Sequence, residues 1–219
     1  MMLWTGLLDV RGLVEVPSRA SRGNTMAILY SGDGGWQPTD RGLARILSEN
    51  GIPVIGLNTL RYFWTRQTPE KAAADFSRTI LHYRSVWNKD RVIVIGYSFG
   101  ADVLPFLLTR SPKLLLEHIE MLVLLAPTKS VDFEFHLKQW FSHDAPKTSL
   151  PVLRELEKLN SIKTVSYCGA LDRESLCRDM PEGIRRVFLP HAGHRFDNLY
   201  SVVAQDILKE AKNRGRPTR

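Results

Sequence analysis

The stretch Arg91-Val-Ile-Val-Ile-Gly-Tyr-Ser-Phe-Gly-Ala-Asp-Val-Leu-Pro-Phe-Leu-Leu108 constrains the fold more than any other. Val92 to Ile95 is apolar at every position, as in a strand covered on both faces rather than on one. A helix follows directly after Ser98, with Pro105 inside it, where the missing N–H should kink the helix. A strand buried on both sides that feeds at once into a helix belongs to a parallel sheet flanked by helices.

The rest of the chain repeats that alternation. Leu13 to Val16 and Met26 to Ser31 read as short strands joined by the turn-rich residues 17–24. Asp40 to Asn50 has helical spacing at Leu43, Ile46 and Leu47 and stops at Gly51. Ile52 to Leu57 is a strand. Thr68 reads as the N-cap of a helix that runs to about Trp87, with Pro69 at its first position and Glu70 in its first turn. Further on come strand Met121 to Leu125, helix Leu150 to Leu159, strands Thr164 to Tyr167 and Arg186 to Leu189, and a final helix from Leu199 to Ala211. The expectation is one α/β domain over residues 1–219, with residues 1–12 an N-terminal extension and 213–219 a mobile basic tail. Its sheet should be mostly parallel, of roughly six to eight strands, with helices on both faces.

Composition excludes some classes. No apolar run approaches the roughly 20 residues that a membrane-spanning helix needs. Thirty Lys and Arg against 23 Asp and Glu leave a formal charge of +7, which suits an anionic partner such as a membrane surface. Much of that excess lies in Lys209 to Arg219, and no nucleic-acid module accompanies it, so nucleic acid is set aside as a partner. Residues 1–11 have no cationic start, and Asp9 cuts the apolar stretch short, so they do not read as a signal peptide.

Gly96-Tyr-Ser-Phe-Gly100 matches G-x-S-x-G, a pattern that would arise by chance in about 7% of chains this long. Its place between a buried strand and a helix sharpens the match. Such a corner lifts a serine hydroxyl above the sheet at the positive end of the helix, ready to act as a nucleophile. A nucleophilic serine needs a base, and the base an orienting acid. Asp172 and His194 each follow a predicted strand end, in the serine, acid, histidine order of α/β hydrolases. Glu174 and Asp132 are substitute acids, and His191 competes with His194. The N–H groups of Phe99 and of Asp33 or Gly34, in the loop Ser31-Gly-Asp-Gly-Gly-Trp36, are the expected oxyanion donors. That loop lacks the Gly-Lys-Ser/Thr ending of a phosphate-binding loop. His82, His118, His136 and His143 form no metal-ligand spacing, so neither metal nor cofactor is expected.

These residues resemble the VirJ and AcvB family of bacterial virulence proteins. The resemblance runs from about Leu13 through Ser31–Trp36, Arg61-Tyr-Phe-Trp64 with Thr68-Pro69, Gly96–Pro105, Asp132-Phe-Glu134 with Trp140, and Gly193-His194 with Phe196-Asp197. It implies an α/β-hydrolase fold in the periplasm and hydrolysis of lysyl-phosphatidylglycerol, an aminoacylated membrane phospholipid. It also implies association with type IV secretion components. Ser98 and His194 carry over by motif, and the acid less securely. The extra N-terminal domain of the longer AcvB type is not matched. Cys168 and Cys177, the only cysteines, bracket the Asp172 loop and would be bridged in an oxidising compartment; buried free thiols are the alternative. For substrate binding, Asp33 and Asp102 are candidates to meet a lysyl ammonium. Trp36, Tyr62, Phe63, Trp64 and Trp140 are candidates for an apolar mouth, although most aromatic residues are simply core. Two other readings compete with a lipid aminoacyl-ester hydrolase: an interaction protein of a secretion machine with a vestigial site, and a generic periplasmic carboxylesterase.

Overall fold

The computed structural model describes residues 9–20, 23–133, 149–196 and 199–213. Most of the N-terminal extension and basic tail expected from the sequence, and also His136, Trp140, His143 and Asp197, lie outside these residues. The strands are β1 (Leu13–Val16), β2 (Thr25–Tyr30), β3 (Val54–Leu57), β4 (Arg91–Tyr97), β5 (Ile119–Leu125), β6 (Ser130–Val131), β7 (Leu150–Pro151), β8 (Thr164–Gly169) and β9 (Arg185–Leu189). The helices are α1 (Pro38–Glu49), α2 (Thr59–Tyr62), α3 (Pro69–Val86), α4 (Phe99–Thr109), α5 (Lys113–Leu116), α6 (Val152–Leu156) and α7 (Tyr200–Asn213).

Seven strands form one sheet in the order β1-β3-β2-β4-β5-β8-β9. β1 pairs antiparallel with β3 at one edge, and every other pairing is parallel. The period of two sorts each strand between two cores. Met26, Ile28, Val92, Val94, Leu122 and Leu124 face α3, α4 and α6. Ala27, Leu29, Ile93, Ile95, Val123 and Val165 face α1 and α7. Being buried on both sides, β4 and β5 need apolar residues along most of their length, which is why Val92–Ile95 and Met121–Leu125 read so plainly in the sequence.

Helix ends follow local chemistry. Thr68 caps α3, its side chain accepting from Lys71 N–H at 3.1 Å, with Pro69 following. α1 begins earlier than the spacing suggests: Pro38 opens it, and Asp40, in its first turn, accepts from Gln37 N–H at 2.8 Å. Gly51, at φ 93°, takes the left-handed conformation that ends α1. The predicted helix Leu150 to Leu159 is broken up. Leu150–Pro151 pairs antiparallel with Ser130–Val131, α6 covers only Val152–Leu156, and a 3-10 turn completes Glu157–Leu159. Strand pairing with a distant segment overrides local helical spacing there.

Candidate active site

Ser98 follows β4 and stands at the N-cap of α4 with φ 50° and ψ −117°. A residue other than glycine enters that region at a cost on the order of 1–3 kcal/mol. Its surroundings hold it there. Ser98 N–H donates to Leu125 O at 2.8 Å, and backbone crowds both flanking glycines. A Cβ on Gly96 would stand 2.6 Å from Ala101 N, and one on Gly100 2.6 Å from Ser31 O. Both positions exclude a side chain for packing reasons, and Oγ stands at the carboxyl edge of the sheet.

Two further loops converge on that hydroxyl. Ser98 Oγ lies 2.8 Å from His194 Nε2, and His194 Nδ1 lies 2.9 Å from Asp172 Oδ2. His194 follows β9 and Asp172 follows β8, which are neighbours in the sheet. The Asp172 side chain is buried, at 4% exposure, whereas His194 is 40% exposed and open to solvent. A carboxylate only accepts, so this pairing puts the imidazole proton on Nδ1 and leaves Nε2 to accept from Ser98. Glu174 is exposed and donates its backbone N–H to Asp172 Oδ1 at 3.2 Å. Asp132 is half-buried beyond β6, and His191 is exposed in a turn at φ 61°. Of the competing acids and bases, Asp172 and His194 are the pair brought to Ser98.

The loop after β2 packs on the serine. A Cβ on Gly32 would lie 3.6 Å from Ser98 Cβ and 3.4 Å from the Tyr97 ring. Thr59 Oγ1 donates to Gly32 O at 2.6 Å, Gly35 N–H donates to the same carbonyl at 3.0 Å, and Thr59 N–H donates to Ser31 Oγ at 3.1 Å. Gly34 N–H is committed to Asp33 Oδ1 at 2.9 Å. That bond occupies the N–H of one of the two donors expected on this loop. Gly32 and the brace at Thr59 escaped the sequence reading. The signal for Gly32 was its place as the first glycine past a strand end.

Several expected substrate contacts fall elsewhere. Asp102 is 3% exposed and spends its carboxylate on Thr128, taking the backbone N–H on Oδ1 and the hydroxyl on Oδ2, each at 2.6 Å. Burial, opposed by those two bonds and reinforced by nearby Asp33, pushes its pKa up to about 7. Tyr62 is buried and donates its hydroxyl to Asp75 at 2.5 Å; it belongs to the core under α3, not to the mouth. Phe63 is buried too, edge-on to Phe99 at 5.1 Å between ring centroids. Trp36 is half-buried with its ring over Gly56 of β3, where a Cβ would meet Cζ3 at 2.5 Å. Trp64 remains open to solvent, at 59% exposure.

Cys168 and Cys177 are disulfide-bonded, with their Cα atoms 6.3 Å apart. Both are fully buried. The bridge joins the end of β8 to the 3-10 turn Leu176–Arg178 and so closes the loop that carries Asp172.

A family model described as "Bacterial virulence protein (VirJ)" matches residues 24–215. The chain belongs to the VirJ family. No curated protein matches it significantly. Solved structures similar to this VirJ-family chain share its α/β-hydrolase fold at low identity. MenH from S. aureus has a TM-score of 0.65 at 11% identity, covering 94% of this chain and 100% of its own. Est1E from Butyrivibrio proteoclasticus has a TM-score of 0.63 at 11% identity, covering 91% and 93%. XC6422 from Xanthomonas campestris, titled a member of a/b serine hydrolase without lid, has a TM-score of 0.59 at 14% identity, covering 94% and 90%.

Proposed function

We propose that this VirJ-family chain is a serine hydrolase of carboxylic esters, with Ser98 as nucleophile, His194 as general base and Asp172 as the acid that orients it. The continuous Ser98–His194–Asp172 hydrogen-bonded chain carries this reading. The similarity to Est1E and to a protein titled a serine hydrolase supports it.

In this reading His194 Nε2 takes the Ser98 proton as Oγ attacks the ester carbonyl carbon. The carbonyl oxygen becomes an oxyanion facing the N–H groups of Phe99 and Asp33. The imidazolium, held by Asp172, then gives its proton to the departing alkoxide, and an acyl-serine remains. Water attacks that ester with His194 again as base, which releases the acid and restores Ser98.

The substrate we propose is the aminoacyl ester of lysyl-phosphatidylglycerol, cleaved to lysine and phosphatidylglycerol by a peripheral enzyme at the anionic membrane surface of the periplasm. Family resemblance supports this choice, and the proposal extends with it to a role in virulence and type IV secretion. The Cys168–Cys177 bridge suits an oxidising compartment. The test is hydrolysis of a panel of aminoacyl phospholipids by wild type and Ser98→Ala. Release of lysine by wild type and not by Ser98→Ala is expected. Neutral acyl esters turned over with no aminoacyl lipid cleaved would point to a generic carboxylesterase, and no turnover at all to an interaction protein.

A further inference from the structure

Asp102 is an expensive residue to keep. Its carboxylate is almost wholly buried, its nearby charged neighbour Asp33 repels it, and the bonds it receives come from a neutral residue, Thr128. An apolar side chain of the same size would pack there at less cost. What the carboxylate supplies is two acceptors that seize both donors of Thr128 at once and so fix that residue's position and its rotamer.

Thr128 begins a strap. Ala126, at φ 48°, turns the chain sharply at the end of β5, beside the point where Leu125 O accepts from Ser98 N–H. Pro127 O then accepts from Leu176 N–H at 2.9 Å and from Ser175 Oγ at 3.4 Å. Those two residues lie just past Asp172 and adjoin Cys177. Asp102 is one helical turn from Ser98, its N–H donating to Ser98 O at 3.1 Å. Hydrogen bonds, joined by the Pro127–Thr128 peptide link, therefore run from the serine corner through Asp102 and Thr128 to the loop that carries Asp172. The contact of Asp172 with His194, and of His194 with Ser98, closes the ring.

We propose that Asp102 is a positioning residue: by clamping Thr128 it sets where the Asp172 loop, and through it His194, stands relative to Ser98. The proposal rests on the reading of Ser98, His194 and Asp172 as the reacting set.

The test compares Asp102→Ala, Asp102→Asn and Thr128→Val, using hydrolysis of lysine methyl ester and the low-field imidazole proton of His194 in NMR spectra of the whole chain. Asp102→Ala should lower kcat by about 10–100-fold and leave KM within about twofold, because the interaction lost acts on the reacting geometry rather than on binding. Asp102→Asn should rescue kcat to within about threefold of wild type, since an amide can accept from Thr128 N–H and donate to its hydroxyl. The low-field proton should shift or broaden in Asp102→Ala and stay in place in Asp102→Asn. A folded Asp102→Ala with wild-type kcat, or an Asp102→Asn as impaired as Asp102→Ala, would overturn the proposal. Should Asp102→Ala not fold, Thr128→Val decides: a severalfold lower kcat supports the clamp, and wild-type kcat refutes it. Should wild type hydrolyse no ester, the hydrolase reading fails separately. The His194 proton then decides alone, a shift in Asp102→Ala supporting the tie and an unmoved signal overturning it.

Discussion

Gly100 lies against Ser31 so closely that a Cβ on it would stand 2.6 Å from the serine's carbonyl oxygen. The first turn of α4 and the end of β2 therefore meet backbone to backbone, and that contact brings the Ser31–Trp36 loop to Ser98. Gly100→Ala should destabilise the fold by about 1–3 kcal/mol, the usual cost of overpacking. Gly34, whose Cβ would find its nearest neighbour at 3.7 Å, provides the contrast. Gly34→Ala should stay within about 0.5 kcal/mol of wild type. Urea unfolding of the two variants checks both; equal effects would contradict the close approach.

The raised pKa of Asp102 gives stability a pH dependence of definite sign. Burial lifts it from 3.8 in the unfolded chain to about 7 in the fold. Between those values the folded state holds a proton that the unfolded state releases, so stability falls as pH rises through this window. Asp40, pushed by burial up to about 6, acts in the same direction, and comparison with Asp102→Asn cancels it. The variant should match wild type near pH 4 and exceed it by a few kcal/mol, on the order of 2–4, above pH 7. Urea titrations at pH 4 to 8 measure this. A constant difference across that range would show that Asp102 stays ionised throughout.

The sequence made some of this legible and concealed the rest, for physical reasons. Ser98, Asp172 and His194 each follow a strand end, the strand before Ser98 being the plainest apolar run, and parallel strands bring those ends to one edge. Tyr62 and Trp36 are candidates for a mouth in the sequence because what covers them is distant. The Tyr62 hydroxyl needs Asp75 across α3, and the Trp36 ring needs the bare backbone of Gly56 on β3. β7 was hidden because Leu150–Pro151 gains its partner, Ser130–Val131, only in the folded chain. Asp102 sits on the same helical face as Ser98, which spacing revealed; that it turns inward to Thr128 depends on the bend at Ala126, which no local pattern announces.

The Cys168–Cys177 bridge closes a short loop, the two cysteines being nine residues apart in sequence. Replacing both by alanine should cost about 2.5–3 kcal/mol by the chain-entropy model. Because the loop holds Asp172, ester turnover should fall as well. Thermal unfolding and kcat of the double variant beside wild type supply the check. Unchanged stability and turnover would show that strand pairing with β9 alone holds the loop.

The central claim is that Ser98 is a nucleophile activated by His194, and covalent labelling with a fluorophosphonate, mapped by peptide mass spectrometry, tests it most directly. Wild type should carry one adduct, on Ser98. Ser98→Ala should carry none, and His194→Ala should label slower by roughly three orders of magnitude or more, because nucleophile and base fail together. His191→Ala should label at the wild-type rate. A folded wild-type chain that takes no adduct on Ser98, or a His194→Ala variant that labels as fast as wild type, would contradict the account.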